Sequence, residues 1–150
     1  MNLRSIELIE NWENLQNGNI TIDWTEYDGF PISRAETFLN HPMDEIAALI
    51  QDLDNYPKVF KRVTKTRQLE PDVAQIVLDM PFPFSSRDYI VKYIEANEGN
   101  KRIYQWFAVD FISMPNTNNN VRLNNAAGEW RLTPINSELS IFKNELIPVF

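Results

Sequence analysis

The side chains that most often carry chemistry are sparse in this chain of 150 residues. His41 is its one histidine, and there is no cysteine. A thiolate nucleophile, a disulfide and a thiolate metal centre are thereby excluded, and no metal site is expected, because one would need several converging ligands. A Ser-His-acid triad would have to use His41. That residue precedes Pro42 at the start of a helical pattern, where a cap or hinge is the simpler role, and no nucleophile elbow lies near it. Gly18, Gly29, Gly99 and Gly128 are the four glycines and stand isolated, so there is no phosphate-cradling loop and no dinucleotide fingerprint. Twenty-one acids offer many carboxylate pairs, but no spacing singles one out for acid–base work. The expectation is no catalytic residue, no metal and no cofactor.

What the chain has instead is bulky apolar surface: nine Phe, five Tyr and four Trp. Tyr89, Val91 and Tyr93 share one face of a candidate strand. Ile103, Phe107, Val109 and Phe111 share a face of the next, with Tyr104 and Trp106 opposite. Trp130 and Leu132 share a face further on. Such residues fill a core or line a cavity that an apolar molecule occupies. The net charge of −7, with acids spread along the chain, disfavours nucleic acid and strong electrostatic docking on anionic membranes. No window approaches the 18 consecutive apolar residues of a membrane span. Met1 to Glu10 lacks the apolar core of a secretory signal, and a cytoplasmic location is expected.

The elements that must position these residues follow from periodicity. The length predicts a single domain over 1–150. Ser5 to Gln16 carries Ile6, Ile9 and Trp12 at helical spacing and predicts a first helix, capped by Ser5 and stopped by Asn17-Gly18. Asn19 to Tyr27 alternates, Asp28-Gly29 is a turn, and Phe30 to Leu39 completes a hairpin. His41-Pro42, followed by Asp44 and Glu45, opens a helix with Ile46, Leu49, Ile50 and Leu53 as its apolar stripe. A short turn or helix follows around Tyr56-Pro57. From Lys61 the period is two, with strands over Arg62 to Leu69, Val73 to Met80, Asp88 to Ala96, Arg102 to Phe111, Val121 to Leu132 and Glu138 to Leu146. Regular spacing with turn signals predicts a meander of antiparallel neighbours, and about eight strands are enough to curl strongly. Pattern alone therefore gives an α+β architecture.

Met80-Pro81-Phe82-Pro83-Phe84-Ser85-Ser86-Arg87-Asp88-Tyr89 resembles the signature of START lipid-transfer domains. Met114-Pro115, Val121-Arg122 and Gly128-Glu129-Trp130 with Pro134 follow the same family's order and spacing. Upstream, Ala35 to Phe60 resembles the helix-grip superfamily's strand, helix start and Asp-x-x-x-x-Pro segment. The resemblance covers about Trp12 to Phe150. It implies a helix-grip fold, in which a strongly curved antiparallel sheet grips a long C-terminal helix with a lipid or sterol between them. Arg87 and Asp88 match the family's Arg-Asp pair and are read as structural. Some steroid-binding members carry a buried acid and base on facing strands. Here the base position falls on Tyr93 and the acid position near Ala74 or Gln75, so a phenol or amide is the expected polar anchor. The chain ends at Ile147-Pro148-Val149-Phe150, where family members continue into the gripped helix. The expectation drawn from that is a sheet without its C-terminal helix, which forms a dimer or domain-swapped assembly or stays partly open.

The function these readings imply is binding of a lipid or other apolar small molecule, for transport between membranes or for sensing, with transient membrane contact. The expected lining is Tyr89, Val91, Tyr93, Phe107, Val109, Phe111, Leu123, Trp130, Leu132 and Phe142. A bulge at Ala126-Ala127-Gly128 would shift the register of the last of these. The alternatives are an enzyme on an apolar substrate, cyclase- or hydrolase-like, signalled by Tyr93, Asp79 or Asp110 in the cavity, and a protein-interaction module that takes a partner helix into the groove.

Overall fold

A computed structural model of the chain describes residues 8–114, 120–138 and 140–147, with side chains as far as residue 141. Ten strands form one mixed sheet that is almost wholly antiparallel. Strands β1 (Glu13–Gln16), β2 (Ile20–Tyr27) and β3 (Phe30–Leu39) lead into α1 (Met43–Gln51), a 3₁₀ turn (Leu53–Asn55) and α2 (Tyr56–Val59). The meander follows as β4 (Val63–Glu70), β5 (Val73–Leu78), β6 (Arg87–Glu98), β7 (Lys101–Ala108), β8 (Val121–Arg122), β9 (Ala127–Pro134) and β10 (Ser140–Ile147). The order across the sheet is β1-β2-β3-β10-β9-β7-β6-β5-β4, with β8 alongside β6 in parallel. The last strand returns to the first hairpin, and β1 and β4 are left as edges of an open, curved sheet.

Turn chemistry fixes the registers. Asp28 and Gly29 both have positive φ, at 52° and 78°, and join Tyr27 to its partner Phe30 through the two-residue loop that favours such dipeptides. Gly99, at φ 61°, sits in the two-residue connection that pairs Glu98 with Lys101. α1 starts after Pro42, and Asp44 and Glu45 lie in its first turn, where the helix dipole favours them. Its buried face is Ile46, Ala47 and Ile50. Leu49, predicted for the stripe, points to solvent because a helix this short buries only the strip directly over the sheet.

Two expectations are corrected. Over residues 8–16 the chain forms no amphipathic helix; residues before Leu8 lie outside the described part. Glu13–Gln16 instead pairs with β2 as an edge strand. Asn14 Nδ2 donates to Asp23 Oδ1, and the Trp12 ring lies 4.1 Å from the Arg34 guanidinium. Ile9 and Trp12 pack on Ile32 without helical phasing. A helix so short is marginal by itself, whereas the open edge of β2 offers its backbone partners at once. The predicted strand Val121 to Leu132 is two strands: β8 breaks off at Arg122, and β9 begins at Ala127.

Register also settles which residues share a face. On one side lie Ile76 and Leu78, Tyr89, Val91 and Tyr93, Tyr104 and Trp106, and Trp130 and Leu132. α1, α2 and the 3₁₀ turn cover this side. Phe107 pairs with Lys92 and Ala127 and therefore belongs to the opposite face, where it is 37% exposed. An even-length loop pairs odd positions of one strand with even positions of the next, so Tyr93 faces the same way as Trp106.

Candidate functional site

The helix-covered face holds two adjoining apolar clusters. Tyr56, Val63, Ile76, Val91, Trp106 and Ala126 form the first, and Leu53, Phe60, Leu78, Tyr89, Tyr93, Leu123 and Trp130 pack against it. Ile46, Ala47 and Ile50 of α1 form the second with Tyr104 and Leu132, and Trp130 joins the two. Ring packing orders the first cluster. Tyr89 stacks on Trp106 with centroids 5.6 Å apart, Phe60 lies 5.7 Å from Trp130, and Tyr56 meets Phe60 edge-on at 4.9 Å.

The polar groups inside are phenols. Tyr56 donates its hydroxyl to the Ile50 carbonyl at 2.5 Å, which satisfies an acceptor that the end of α1 leaves open. The Tyr93 phenol stands close to that of Tyr56, and the two influence each other's ionisation. Burial holds the protons on all of these groups. It pushes the Tyr89 phenol up to about 12 and raises Tyr56 and Tyr93 further, with the neighbouring phenols adding to the effect. Tyr104 is also raised, first by burial and then by Glu95, and its enclosed hydroxyl has no hydrogen-bond partner at normal distance and angle among the described residues.

A cavity of about 360 Å³ opens beside this basin. Ile50 and Leu53, the β4–β5 turn, and Tyr93 and Tyr104 line it, and Asp52, Asp54, Asp72 and Glu95 stand at it as well. Its size falls in the range of small-molecule sites. Among the described residues no cluster of His, Cys, Asp and Glu is arranged to hold a metal ion. His41 is exposed and pairs with Glu45 at 3.1 Å, and Asp79 and Asp110 are exposed outside the basin.

The ten predicted lining residues divide accordingly. Tyr89, Val91, Tyr93, Leu123 and Trp130 meet in the first cluster, and Leu132 lies beneath α1. Phe107 is on the other face; Val109 and Phe111 lie beyond the end of β7 and join neither cluster. The backbone of Phe142 pairs with Leu132, and its side chain lies outside the described residues. Tyr56, Tyr104, Trp106 and Phe60 were not predicted for the site. The parity of the β6–β7 turn was the signal that would have found Tyr104 and Trp106.

Asp88, which opens β6, is buried and accepts hydrogen bonds from Gln75 at 2.8 Å and from both Arg122 Nε and Nη2, at 2.9 and 2.7 Å. It ties β5, β6 and β8 together, which is the structural role expected of it. Arg87 donates to the Ser85 carbonyl and closes the preceding turn.

A solved STAR-related lipid transfer protein fragment from Xanthomonas axonopodis superposes with a TM-score of 0.79 at 17% identity, over 90% of this chain and 80% of that one. Human STARD10 gives 0.79 at 14% identity, over 97% of this chain and 65% of its own. The fold is the START helix-grip fold. The aromatase/cyclase Zhui from Streptomyces sp. R1128 is more distant, with a TM-score of 0.55 at 15% identity over 79% of this chain and 67% of that one. No protein-family model matches the sequence, and no curated protein matches it. In START terms, the basin described above lies on the face of the sheet that the helices cover. Among the described residues no helix is long and apolar enough to cross a membrane.

Proposed function

We propose that the protein binds a lipid or another apolar small molecule on the helix-covered face of its START sheet and carries it between membranes, with transient membrane contact. The observation that supports this best is the aromatic basin itself. It joins a cavity of ligand size, and its interior polar groups are phenols that stay neutral. Affinity then comes from burying the ligand's chain, at about 0.8 kcal/mol per CH₂. Tyr93 and Tyr104 orient its polar end.

The same chemistry favours a carrier over a catalyst. A cyclase-like reaction needs a group that gives up or takes a proton near neutral pH. The phenols of this basin are held away from that range, and the carboxylates Asp52, Asp54, Asp72 and Glu95 line the adjoining cavity and not the basin itself. Native mass spectrometry of freshly purified protein, followed by transfer of labelled lipid between vesicles, tests the proposal. A co-purifying apolar mass and vesicle-to-vesicle transfer are expected; an empty protein that takes up no labelled lipid would refute it.

A further inference from the structure

The cavity beside the basin differs from it in charge. Asp52, Asp54, Asp72 and Glu95 line it, and no Lys or Arg does among the described residues. Three parts of the chain bring these acids together. Asp52 and Asp54 follow the end of α1, Asp72 sits in the β4–β5 turn, and Glu95 stands on β6. Hydrogen bonds hold the grouping in place. The Tyr93 amide donates to the Asp72 carbonyl at 2.8 Å, and Gln51, the last residue of α1, donates to Glu95 at 3.2 Å.

The hydrogen-bonding supply of this cavity is one-sided. Ionised carboxylates only accept. The side-chain amides of the lining already donate within it, Gln51 to Glu95 and Gln68 to the Pro71 carbonyl. Asp72 has a cation, Lys92, at 3.1 Å. Asp52 takes the neutral amide of Asn55, and among the described residues Asp52, Asp54 and Glu95 form no ion pair. Arg102, which lies beside Tyr104, is bound to Asp44. Tyr104 is only 5% exposed, lines the same cavity, and forms no hydrogen bond of normal geometry through its hydroxyl among the described residues. A buried hydroxyl in that condition is costly until an occupant meets it.

We infer that this cavity receives the cationic head of a long-chain amine, whose hydrocarbon chain runs on into the aromatic basin. An ammonium group brings three donors and no acceptor, the complement of a lining rich in acceptors. Tyr93 and Tyr104 add aromatic rings, and ring faces attract cations. Ile50, Leu53, Tyr93 and Tyr104 belong both to the cavity wall and to the apolar clusters, so the places for head and chain are continuous. A fatty acid would set its carboxylate against four others. The phosphate of a phospholipid head would meet the same repulsion, with no Lys or Arg in the lining to offset it. The inference rests on the carrier proposal for the chain and adds the sign of the head group.

The test is calorimetric titration of the full chain near neutral pH with dodecylamine, dodecanol and dodecanoate, which share a chain and differ in the charge of the head. Dodecylamine should bind about tenfold more tightly than dodecanol, and dodecanoate most weakly. Added salt should shrink the lead of the amine. Asp54→Asn with Glu95→Gln should remove most of that lead. Both side chains are exposed, so circular dichroism should stay unchanged. Asp79→Asn with Asp110→Asn makes the same change in net charge away from the cavity and should preserve the lead. Equal affinity for amine and alcohol overturns the inference and leaves the carrier standing, and so does an equal loss of the lead in both double variants. Failure of all three chains to bind overturns both proposals.

Discussion

The two faces of the sheet bury different chemistry. Under the helices the enclosed polar groups are neutral, phenols among Trp, Ile and Val together with the Ser140 hydroxyl. On the opposite face they are charged and paired. Arg34 Nε meets Asp23 at 2.8 Å, Arg131 Nη2 meets Glu129 at 2.7 Å, and Arg122 holds Asp88. Gln105 adds a hydrogen bond to Glu129, and the Trp12 ring covers Arg34. Each of these networks bridges neighbouring strands or pins a flanking segment. Charge-assisted bonds are short and directional, so they fix strand positions. On the helix-covered face, among the described residues, such a bond stands at the rim, where Arg102 of β7 reaches Asp44 of α1, and the interior is held by apolar and ring packing instead.

The strongest way to break the contrast is to remove one partner of a buried pair. Asp88→Ala leaves the Arg122 guanidinium partly enclosed without its carboxylate and should cost about 3–5 kcal/mol, read from urea unfolding. Replacing both partners with apolar residues of similar volume, as in Asp88→Leu with Arg122→Met, should cost less than the single change. If the double variant is as damaged as Asp88→Ala, the pair contributes directly and not merely through the charge left behind.

A comparison of neighbours across β7 comes next. Trp106→Ala opens the basin beneath Tyr89 and should cost about 3 kcal/mol or more, with loss of lipid uptake. Phe107→Ala, one residue on but facing the other way, should stay within about 1 kcal/mol and leave uptake intact. Equal effects would mean that the face assignment does not govern binding.

Alternation and turn dipeptides made most strands legible in the sequence, because both are local. The hairpin at Asp28-Gly29 and the helix after Pro42 follow from two or three residues each. The START resemblance carried the overall architecture, which local pattern could not. What local reading missed was decided at a distance. Glu13–Gln16 extends because an open edge lies beside it, and no periodicity within the segment records that edge. The face of β7 was legible in principle from the even-length turn at Gly99, but both of its faces carry aromatics, so composition alone could not choose. Tyr56 enters the site only because the 3₁₀ turn and α2 fold it back under Ile50, a contact made by tertiary geometry.

Alkaline pH separates the faces without mutation. In the unfolded chain the phenols ionise near 10. In the folded chain Tyr89 is pushed up to about 12, and Tyr56 and Tyr93 go higher, because burial penalises the phenolate. Above pH 10 the unfolded state therefore holds fewer protons than the folded one. This stabilising contribution is complete below that pH and declines as pH rises through the folded values. Stability should fall between pH 10 and 12 with a slope that Tyr93→Phe reduces, and tyrosinate absorbance should lag behind that of the urea-unfolded chain. Coincident titration of the folded and unfolded protein would show that the phenols are not enclosed.

The smallest expected effect is the most specific. Tyr93→Phe keeps the ring and removes one hydroxyl from beside that of Tyr56, which should cost at most about 1 kcal/mol of stability. Tyr56 keeps its own bond to the Ile50 carbonyl, so the basin stays shaped as before. If Tyr93 serves as the polar anchor, affinity for lipids with a hydroxyl or amide end should drop, while affinity for a plain hydrocarbon chain of equal length should not. Titrating both ligands against intrinsic tryptophan fluorescence, with Trp106 and Trp130 reporting from the basin, measures the difference directly. An equal change for both ligands would assign Tyr93 to packing and move the search for the anchor to the Tyr104 hydroxyl, which is enclosed and forms no hydrogen bond of normal geometry among the described residues.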